Sequence, residues 1–439
     1  MLNRIISEIE NKNIAILGFG KEGISTYRYI RKHLPNKKLT IVDRNENICN
    51  NLIVKYDNNL EFVLGDSYLN NLSIYDLIIK SPGIKIENID DIIDKVTSQI
   101  EIVLENFRDN VIGITGTKGK STTSTLLYNV LKEQNVKCML LGNVGNPVLD
   151  YLDDITNDTK LVIEMSSYQL ELVKYSPHIS VILNLYEDHL NYHGSIEKYH
   201  LSKLNIFKFQ NENDYALYTS TSPNINNYIS KFNYKAHILD IENEFKIVDN
   251  EIYFNNIKVY SVNEKRYLLG EHNLSNILFV IRISILLGLD LNKAVNTINN
   301  FKPLEHRMEM VGTYNNIKYY NDTIATIPEA TINCLKAYTD VDTLIFGGQD
   351  RGINYDNLIN YLNNSNISNF ICMPETGHKL ATRLTRGKIY LVNTLEEAVL
   401  IAKRETKCAC LLSPAAPSYN QFRNFEEKGK RYKELVTKE

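Results

Sequence analysis

The 439-residue sequence has no tryptophan and only six cysteines, Cys49, Cys138, Cys334, Cys372, Cys408 and Cys410, none of them in a C-x-x-C pair. That scatter excludes a disulfide framework and a thiolate zinc site, and it fits a reducing, cytoplasmic setting. The missing tryptophan accompanies heavy use of Asn, Lys, Ile and Tyr and carries no mechanistic meaning. With 20 glycines and 10 prolines, collagen-like and low-complexity chains are excluded. Charge of one sign is lacking as well: 49 Lys and Arg stand against 52 Asp and Glu, a formal charge of −3. No global basic field exists to hold nucleic acid or an anionic membrane. Long apolar runs are also missing. Ile277 to Leu289 contains Arg282 and spans about 13 residues, short of the ~20 a membrane span needs, so it reads as a buried helix. Arg4, Glu8 and Glu10 interrupt what would be the apolar region of a secretory signal, so export is not expected.

At about 100–200 residues per domain the chain allows two to four domains, with three central. Asn13 to Leu17 is an apolar run ending at Gly18-Phe-Gly-Lys-Glu-Gly23, and helical spacing follows from Ile24 to His33. Leu39 to Val42 ends at Asp43, and Tyr75 to Ile79 runs into Ser81-Pro-Gly83. Val111 to Thr115 is followed by a second glycine turn and a helical stretch from Ser124 to Gln134, with further strands at Leu161 to Ile163 and Ser180 to Leu183. After Phe301-Lys-Pro303, strands are expected at Ile317 to Tyr320, Thr343 to Phe346, Asn369 to Ile371 and Cys410 to Leu412. The expectation is an α/β protein of three domains, 1–105, 106–303 and 304–439, each a mostly parallel sheet with helices. The first and last are Rossmann-like, and the central one resembles phosphate-loop ATPases.

The strongest chemical signal is Gly116-Thr-Lys-Gly-Lys-Ser-Thr122 between a strand and a helix. Glycines let backbone N–H groups approach phosphates, the helix N-terminus adds positive potential, Lys120 can reach terminal phosphates, and Ser121 can ligate Mg²⁺. Gly116, Thr117, Lys118, Gly119, Lys120, Ser121 and Thr122 are therefore candidate ATP contacts. The strict G-x-x-x-x-G-K-[ST] spacing would put Gly at 114, where Ile stands, so the loop is a variant using Gly113 and Gly116. Gly18 to Gly23 matches G-x-G-x-x-G, with Asp43 twenty residues beyond Gly23 where a ribose-binding acid would sit. By itself such a turn also serves merely to pack a helix on its strand. Two nucleotide-type turns imply two nucleotides, or ATP plus one nucleotide-linked substrate. Glu164 and His189 end two further apolar runs and could hold Mg²⁺ between phosphates and a second substrate. Alone, a histidine there reads as a structural group, and imidazole is an uncommon partner for Mg²⁺.

Gly116 to Thr122, Glu164-Met-Ser-Ser-Tyr-Gln-Leu170, Asp188-His189, Lys203, Gly270-Glu-His-Asn273, His306-Arg307, Asn321-Asp322 and Ser413-Pro-Ala-Ala-Pro-Ser418 resemble, in order, the motifs of the Mur ligases. The glycine-turn first segment and the ending Asn420 to Gly429 are most similar to the branch that adds glutamate. The resemblance implies ATP-dependent ligation of D-glutamate to UDP-N-acetylmuramoyl-L-alanine through an acyl phosphate, in a monomer. It implies Mg²⁺ held by Ser121, Glu164, His189 and a carbamylated Lys203, with Lys120, Glu164, His189 and Lys203 carrying the chemistry. Asn273, Arg307 and Asp322 would lie around ATP. Lys21, Glu22, Asp43, Arg44, Ser81 and Gly83 would meet the UDP end, and Asn143 the sugar. Thr326, Arg351, Ser418 and Phe425 would meet the amino acid. Without the resemblance, Lys203 reads as a solvated helix lysine, Ser418 as a helix N-cap and Phe425 as core.

The pattern departs from the D-glutamate branch where Thr323-Ile-Ala-Thr326 puts Ile324 at a lysine position and Arg351 replaces a later lysine. Arginine binds a carboxylate bidentately where lysine acts as a point charge. L-glutamate is accordingly the alternative substrate. A nicotinamide oxidoreductase using Gly18 to Gly23 and a non-catalytic nucleotide sensor leave Glu164, His189 and Lys203 unexplained. A folylpolyglutamate synthase conflicts with the N-terminal unit of about 105 residues.

Overall fold

A computed structural model describes residues 2–142, 147–222 and 224–438. The chain forms two compact units, the first comprising residues 1–263 and 276–298 and the second residues 264–275 and 299–439.

The first unit holds two parallel sheets. In the N-terminal one the strand order is Leu60–Leu64, Leu39–Asp43, Ile14–Leu17, Leu77–Lys80, Val96–Thr97. Ile14, Ala15, Ile16 and Leu17 are all fully buried, as expected for a strand covered on both faces. The central sheet runs His237–Asp240, Tyr215–Tyr218, Ile179–Ile182, Val111–Thr115, Lys160–Glu164, Cys138–Gly142. Both orders reverse beside the strand that feeds a glycine turn, the topological position where α/β sheets bind ligands. The helix Gln99–Phe107 follows the last N-terminal strand, its first turn capped by Ser98 Oγ accepting from the Glu101 N–H.

The second unit has a six-stranded sheet ordered Glu309–Tyr314, Ile317–Asn321, Ala409–Leu412, Val341–Gly348, Asn369–Glu375, Lys388–Leu391. Only its first strand is antiparallel, pairing with Ile317–Asn321. All the strands expected from sequence are present within a residue or a few of their expected bounds. The apolar run from Ile277 lies in the helix Glu271–Leu286, and Ile277, Phe279, Val280, Ile281 and Ile283 are fully buried.

Several strands have no counterpart in the sequence reading: Leu60–Leu64, Val96–Thr97, Cys138–Gly142, Tyr215–Tyr218, His237–Asp240, Glu309–Tyr314, Lys388–Leu391 and the three of a separate small sheet. Phe245–Val248, Glu251–Phe254 and Ile257–Ser261 form a small antiparallel sheet in the first unit. Its two hairpins turn at Asp249-Asn250 (φ +50° and +65°) and Asn255-Asn256 (φ +48° and +62°). Asn315-Asn316 turns the hairpin of the second unit in the same way, at φ +51° and +63°. Paired left-handed residues make the two-residue turn whose twist suits a hairpin, and Asx residues tolerate it without glycine.

Candidate active site

The glycine loop leaves the carboxyl end of Val111–Thr115 and enters the helix Lys120–Glu133 through Gly119, whose φ is +89°. A Cβ at Gly119 would also lie 2.8 Å from Asn276 Oδ1, so the left-handed conformation favours glycine and the space beside it is tight. Asn184 fixes the loop from the next strand: its Oδ1 accepts from the Lys118 N–H at 2.8 Å and its Nδ2 donates to Lys118 O at 3.0 Å. Its own carbonyl accepts from the Thr117 N–H at 3.0 Å. Thr117 Oγ1 in turn accepts from the Tyr199 hydroxyl at 3.2 Å and from the Tyr186 N–H at 3.0 Å. Lys120 Nζ donates to Gly116 O at 2.9 Å and Thr117 O at 3.1 Å, which keeps the ammonium over the loop where a phosphate oxygen would meet it.

Beneath this loop lies Lys203. The helix Ile196–Lys208, capped by Ser195, carries it inward, and it is 1% exposed where sequence alone suggested a solvated residue. Its Nζ is 3.5 Å from Thr115 Oγ1 and 4.9 Å from the centre of the Tyr199 ring. Burial first, then the Lys120 ammonium, holds the amine well below its usual range, while Asp188 and Glu164 pull the other way. Glu164 ends Lys160–Glu164 and is 1% exposed. His189 sits at φ +54°, its backbone N–H bound to Asp188 Oδ1 at 2.9 Å and its Nδ1 2.9 Å from the Tyr168 hydroxyl. The Lys118 ammonium lies 3.7 Å from Asp188 Oδ2. The phosphate loop, Glu164, His189 and Lys203 thus gather at one edge of the central sheet.

No group of three or more His, Cys, Asp or Glu side chains among the described residues is arranged to hold a metal ion. The donor set still suits Mg²⁺, which takes one or two carboxylates and completes its shell with substrate phosphates and water. Ser121 and Glu164 would supply protein oxygens, and a carbamate on Lys203 another.

In the N-terminal sheet, Asp43 turns to its own backbone: Oδ2 accepts from the Phe19 N–H at 2.7 Å and Oδ1 from the Asn45 N–H at 2.8 Å. It therefore shapes the glycine turn. Ser81 Oγ donates to Gly18 O at 3.0 Å. Gly23 has a packing role as well, since a Cβ there would meet Gly18 O at 2.0 Å. Glu22 faces the central sheet, its Oε1 accepting from Gln169 Nε2 at 3.0 Å. Burial pushes the Glu22 carboxyl up to about 7, against the Gln169 hydrogen bond and the charge of Lys80. Gln169 also completes a capping box with Ser166, which ties Glu22 to the segment following Glu164. Lys21, Arg44 and Gly83 are exposed, and Arg44 pairs with Asp66 at 3.1 Å. Asn143 lies outside the described residues.

The remaining candidates belong to the second unit. Asp322 is 4% exposed; its Oδ1 accepts from the Met308 N–H at 3.1 Å and its Oδ2 from Ser413 Oγ at 2.9 Å, so it holds the turn that carries Arg307. Burial raises its carboxyl to about 6. Asn273 Nδ2 donates to Leu269 O at 2.8 Å. Ser418 is 3% exposed, and its Oγ is buried with no hydrogen-bond partner among the described residues. It is not a helix N-cap, because Asn424 caps Phe425–Thr437. The Phe425 ring, half-buried, is 6.3 Å from His306. Thr326 is half-buried and Arg351 exposed.

Asn184 is a loop-supporting residue that sequence reasoning missed, and Asn276 is a second residue it did not single out, its side chain lying beside Gly119. Asn184 carried a signal, since it follows an apolar run as Glu164 does. Asn276 lies one helical turn beyond Asn273, outside the Gly270-Glu-His-Asn273 motif that singled Asn273 out.

A strand, a phosphate-type loop and a helix, seated at the carboxyl edge of a parallel sheet, define a phosphate-loop α/β nucleotide-binding protein. Comparison with known proteins narrows the class. Residues 114–284 match the family model described as the Mur ligase middle domain, and residues 12–104 that of the Mur ligase MurD-like N-terminal domain. The chain is 34% identical, over 99% of both sequences, to a Bacillus cereus protein named UDP-N-acetylmuramoylalanine--D-glutamate ligase. Its fold is similar to that of a MurF ligase from Thermotoga maritima in complex with ADP (TM-score 0.60, 17% identity, 98% of this chain and 95% of that one). It is likewise similar to the Thermotoga maritima UDP-N-acetylmuramate-alanine ligase MurC (TM-score 0.59, 17% identity, 97% and 99% covered). The chain belongs to the Mur ligase family, ATP-dependent amide-bond ligases with a three-domain α/β fold. No helix among the described residues is long and apolar enough to cross a membrane.

Proposed function

We propose that this enzyme joins D-glutamate to UDP-N-acetylmuramoyl-L-alanine in the cytoplasm, forming ADP and phosphate. The observation that carries the reading is Lys203, a buried lysine amine beside Lys120, Glu164 and Asp188 under the phosphate loop. An amine kept neutral by its surroundings can take up CO₂, forming a carbamate and releasing a proton, which converts a cation into an oxygen donor. In this reading Ser121, Glu164, His189 and the Lys203 carbamate hold Mg²⁺, which neutralises phosphate charge. Gly116 to Thr122 cradle the ATP phosphates with help from Lys120, and Asn273, Arg307 and Asp322 belong to the nucleotide's surroundings. The alanyl carboxylate attacks the γ-phosphorus and ADP leaves. The amine of glutamate then attacks the acyl phosphate, loses a proton and expels phosphate.

Three domains, 1–105, 106–303 and 304–439, divide this work in a monomer. Lys21, Glu22, Asp43, Arg44, Ser81 and Gly83 serve the UDP end and Asn143 the sugar. Asp43 and Ser81 act by shaping the glycine turn. Thr326, Arg351, Ser418 and Phe425 serve the amino acid. The similarity to the Bacillus cereus D-glutamate ligase, at 34% identity, favours D-glutamate over L-glutamate despite Ile324 and Arg351. The test is phosphate release from ATP, Mg²⁺ and UDP-N-acetylmuramoyl-L-alanine with D-glutamate, with L-glutamate and with neither. Turnover with D-glutamate alone is expected; turnover with L-glutamate alone would transfer the enzyme to the alternative substrate.

A further inference from the structure

Two lysines are only 1% exposed among the described residues, Lys203 and Lys428. The mechanism uses the first and leaves the second unexplained. Lys428 lies on the helix Phe425–Thr437, three residues beyond Phe425 and hence on the same face. Its Nζ donates to Gly347 O at 3.1 Å, and no ion pair reaches it among the described residues. Burial pushes its amine down to about 7, with no charged neighbour contributing. Unlike Lys203, it faces a carbonyl oxygen, which would repel a carbamate and requires a donor.

The Gly347 peptide is held from both sides. Its N–H donates to Pro414 O at 2.9 Å, and two residues on the Gln349 N–H donates to Pro417 O at 2.8 Å. Gly347 is the penultimate residue of the strand Val341–Gly348, which leads into the loop bearing Arg351, while Pro414 to Pro417 lead into Ser418, whose buried Oγ has no hydrogen-bond partner among the described residues. The Lys428 hydrogen bond therefore ties the Arg351 loop to the segment that carries Ser418 and Phe425. A buried ammonium with a single acceptor is a poor device for stability, since an apolar side chain of similar volume there is often neutral or stabilising.

We infer that Lys428 is a positioning residue for the amino-acid substrate, its ammonium setting the Gly347–Arg351 loop against the Ser418–Phe425 segment. The inference rests on the proposal that these two segments receive glutamate. The test is Lys428→Met in the full-length enzyme, with KM measured separately for glutamate, ATP and UDP-N-acetylmuramoyl-L-alanine, beside a thermal melt. Expected are a rise of about tenfold or more in KM for glutamate, the other two KM values within about twofold, and a melting temperature no lower than wild type. An unchanged KM for glutamate, a parallel rise in all three, or a variant that melts lower or fails to fold would overturn it, the last by assigning the amine to the stability of the sheet edge. Wild-type protein that releases no phosphate with either glutamate defeats the proposed function itself, whereas wild-type turnover with an indifferent variant defeats only the role of Lys428.

Discussion

Replacing Asn184 by alanine removes two hydrogen bonds from the phosphate loop and spares a third. The lost bonds are those from the Lys118 N–H to Oδ1 at 2.8 Å and from Nδ2 to Lys118 O at 3.0 Å. The bond from the Thr117 N–H to the Asn184 carbonyl belongs to the backbone and survives. At about 0.5–1.5 kcal/mol each, the two are worth about 1–3 kcal/mol. Asn184 is half-buried, so water replaces part of the loss and the lower half of that range applies. If the loop must then be ordered by the nucleotide, the cost appears as an increase in KM for ATP of about 5–30-fold. Asn184→Asp should be worse than alanine, because it sets a carboxylate against Lys118 O and beside an incoming phosphate. Phosphate release against ATP concentration, at saturating second substrates, measures the effect, and calorimetric melting of both variants accompanies it. An unchanged KM for ATP with a melting temperature several degrees lower would refute the reasoning, since Asn184 would then support the sheet and not the loop.

Two further outcomes are expected. Lys203→Ala should lose nearly all phosphate release and regain part of it in formate or acetate, whose carboxylate replaces the missing oxygen donor; full activity without added anion would remove Lys203 from the site. Glu101, 5% exposed, has its carboxyl pushed up by burial from 4.5 to about 7. Between those pH values the folded protein holds a proton that the unfolded chain has released, so this group's contribution to stability declines as pH rises through that window. Glu101→Gln lacks the decline, and its stability relative to wild type should grow by about 3 kcal/mol from pH 4.5 to 8. Denaturant curves that stay parallel across that range would contradict the assignment.

Strands such as Ile14–Leu17 and Val111–Thr115 were legible because buried β runs are short, apolar and closed by turns, whereas the more exposed parallel strands Leu60–Leu64, His237–Asp240 and Lys388–Leu391 were not. Nor was the small antiparallel sheet. Its hairpins turn on Asp249-Asn250 and Asn255-Asn256, which lack the glycine that usually betrays such a turn, and Lys246, Ile247 and Val248 are exposed, so no apolar alternation marks the strand.

For the candidate site, sequence alone determined which chemical groups follow the strand ends: the loop Gly116 to Thr122, Glu164, His189 and Asp43. Position at a strand end is a local property, readable from where an apolar run stops. The tertiary structure decided what those groups touch. It buried Lys203 against Tyr199 and Thr115, turned Asp43 onto the Phe19 N–H, engaged Asp322 with Met308 and Ser413, and placed Asn184 and Asn276 against the loop. Burial and neighbouring charge set whether a lysine is a solvated cation or a reactive amine. Both are sums over residues far apart in the chain, which no stretch of sequence displays.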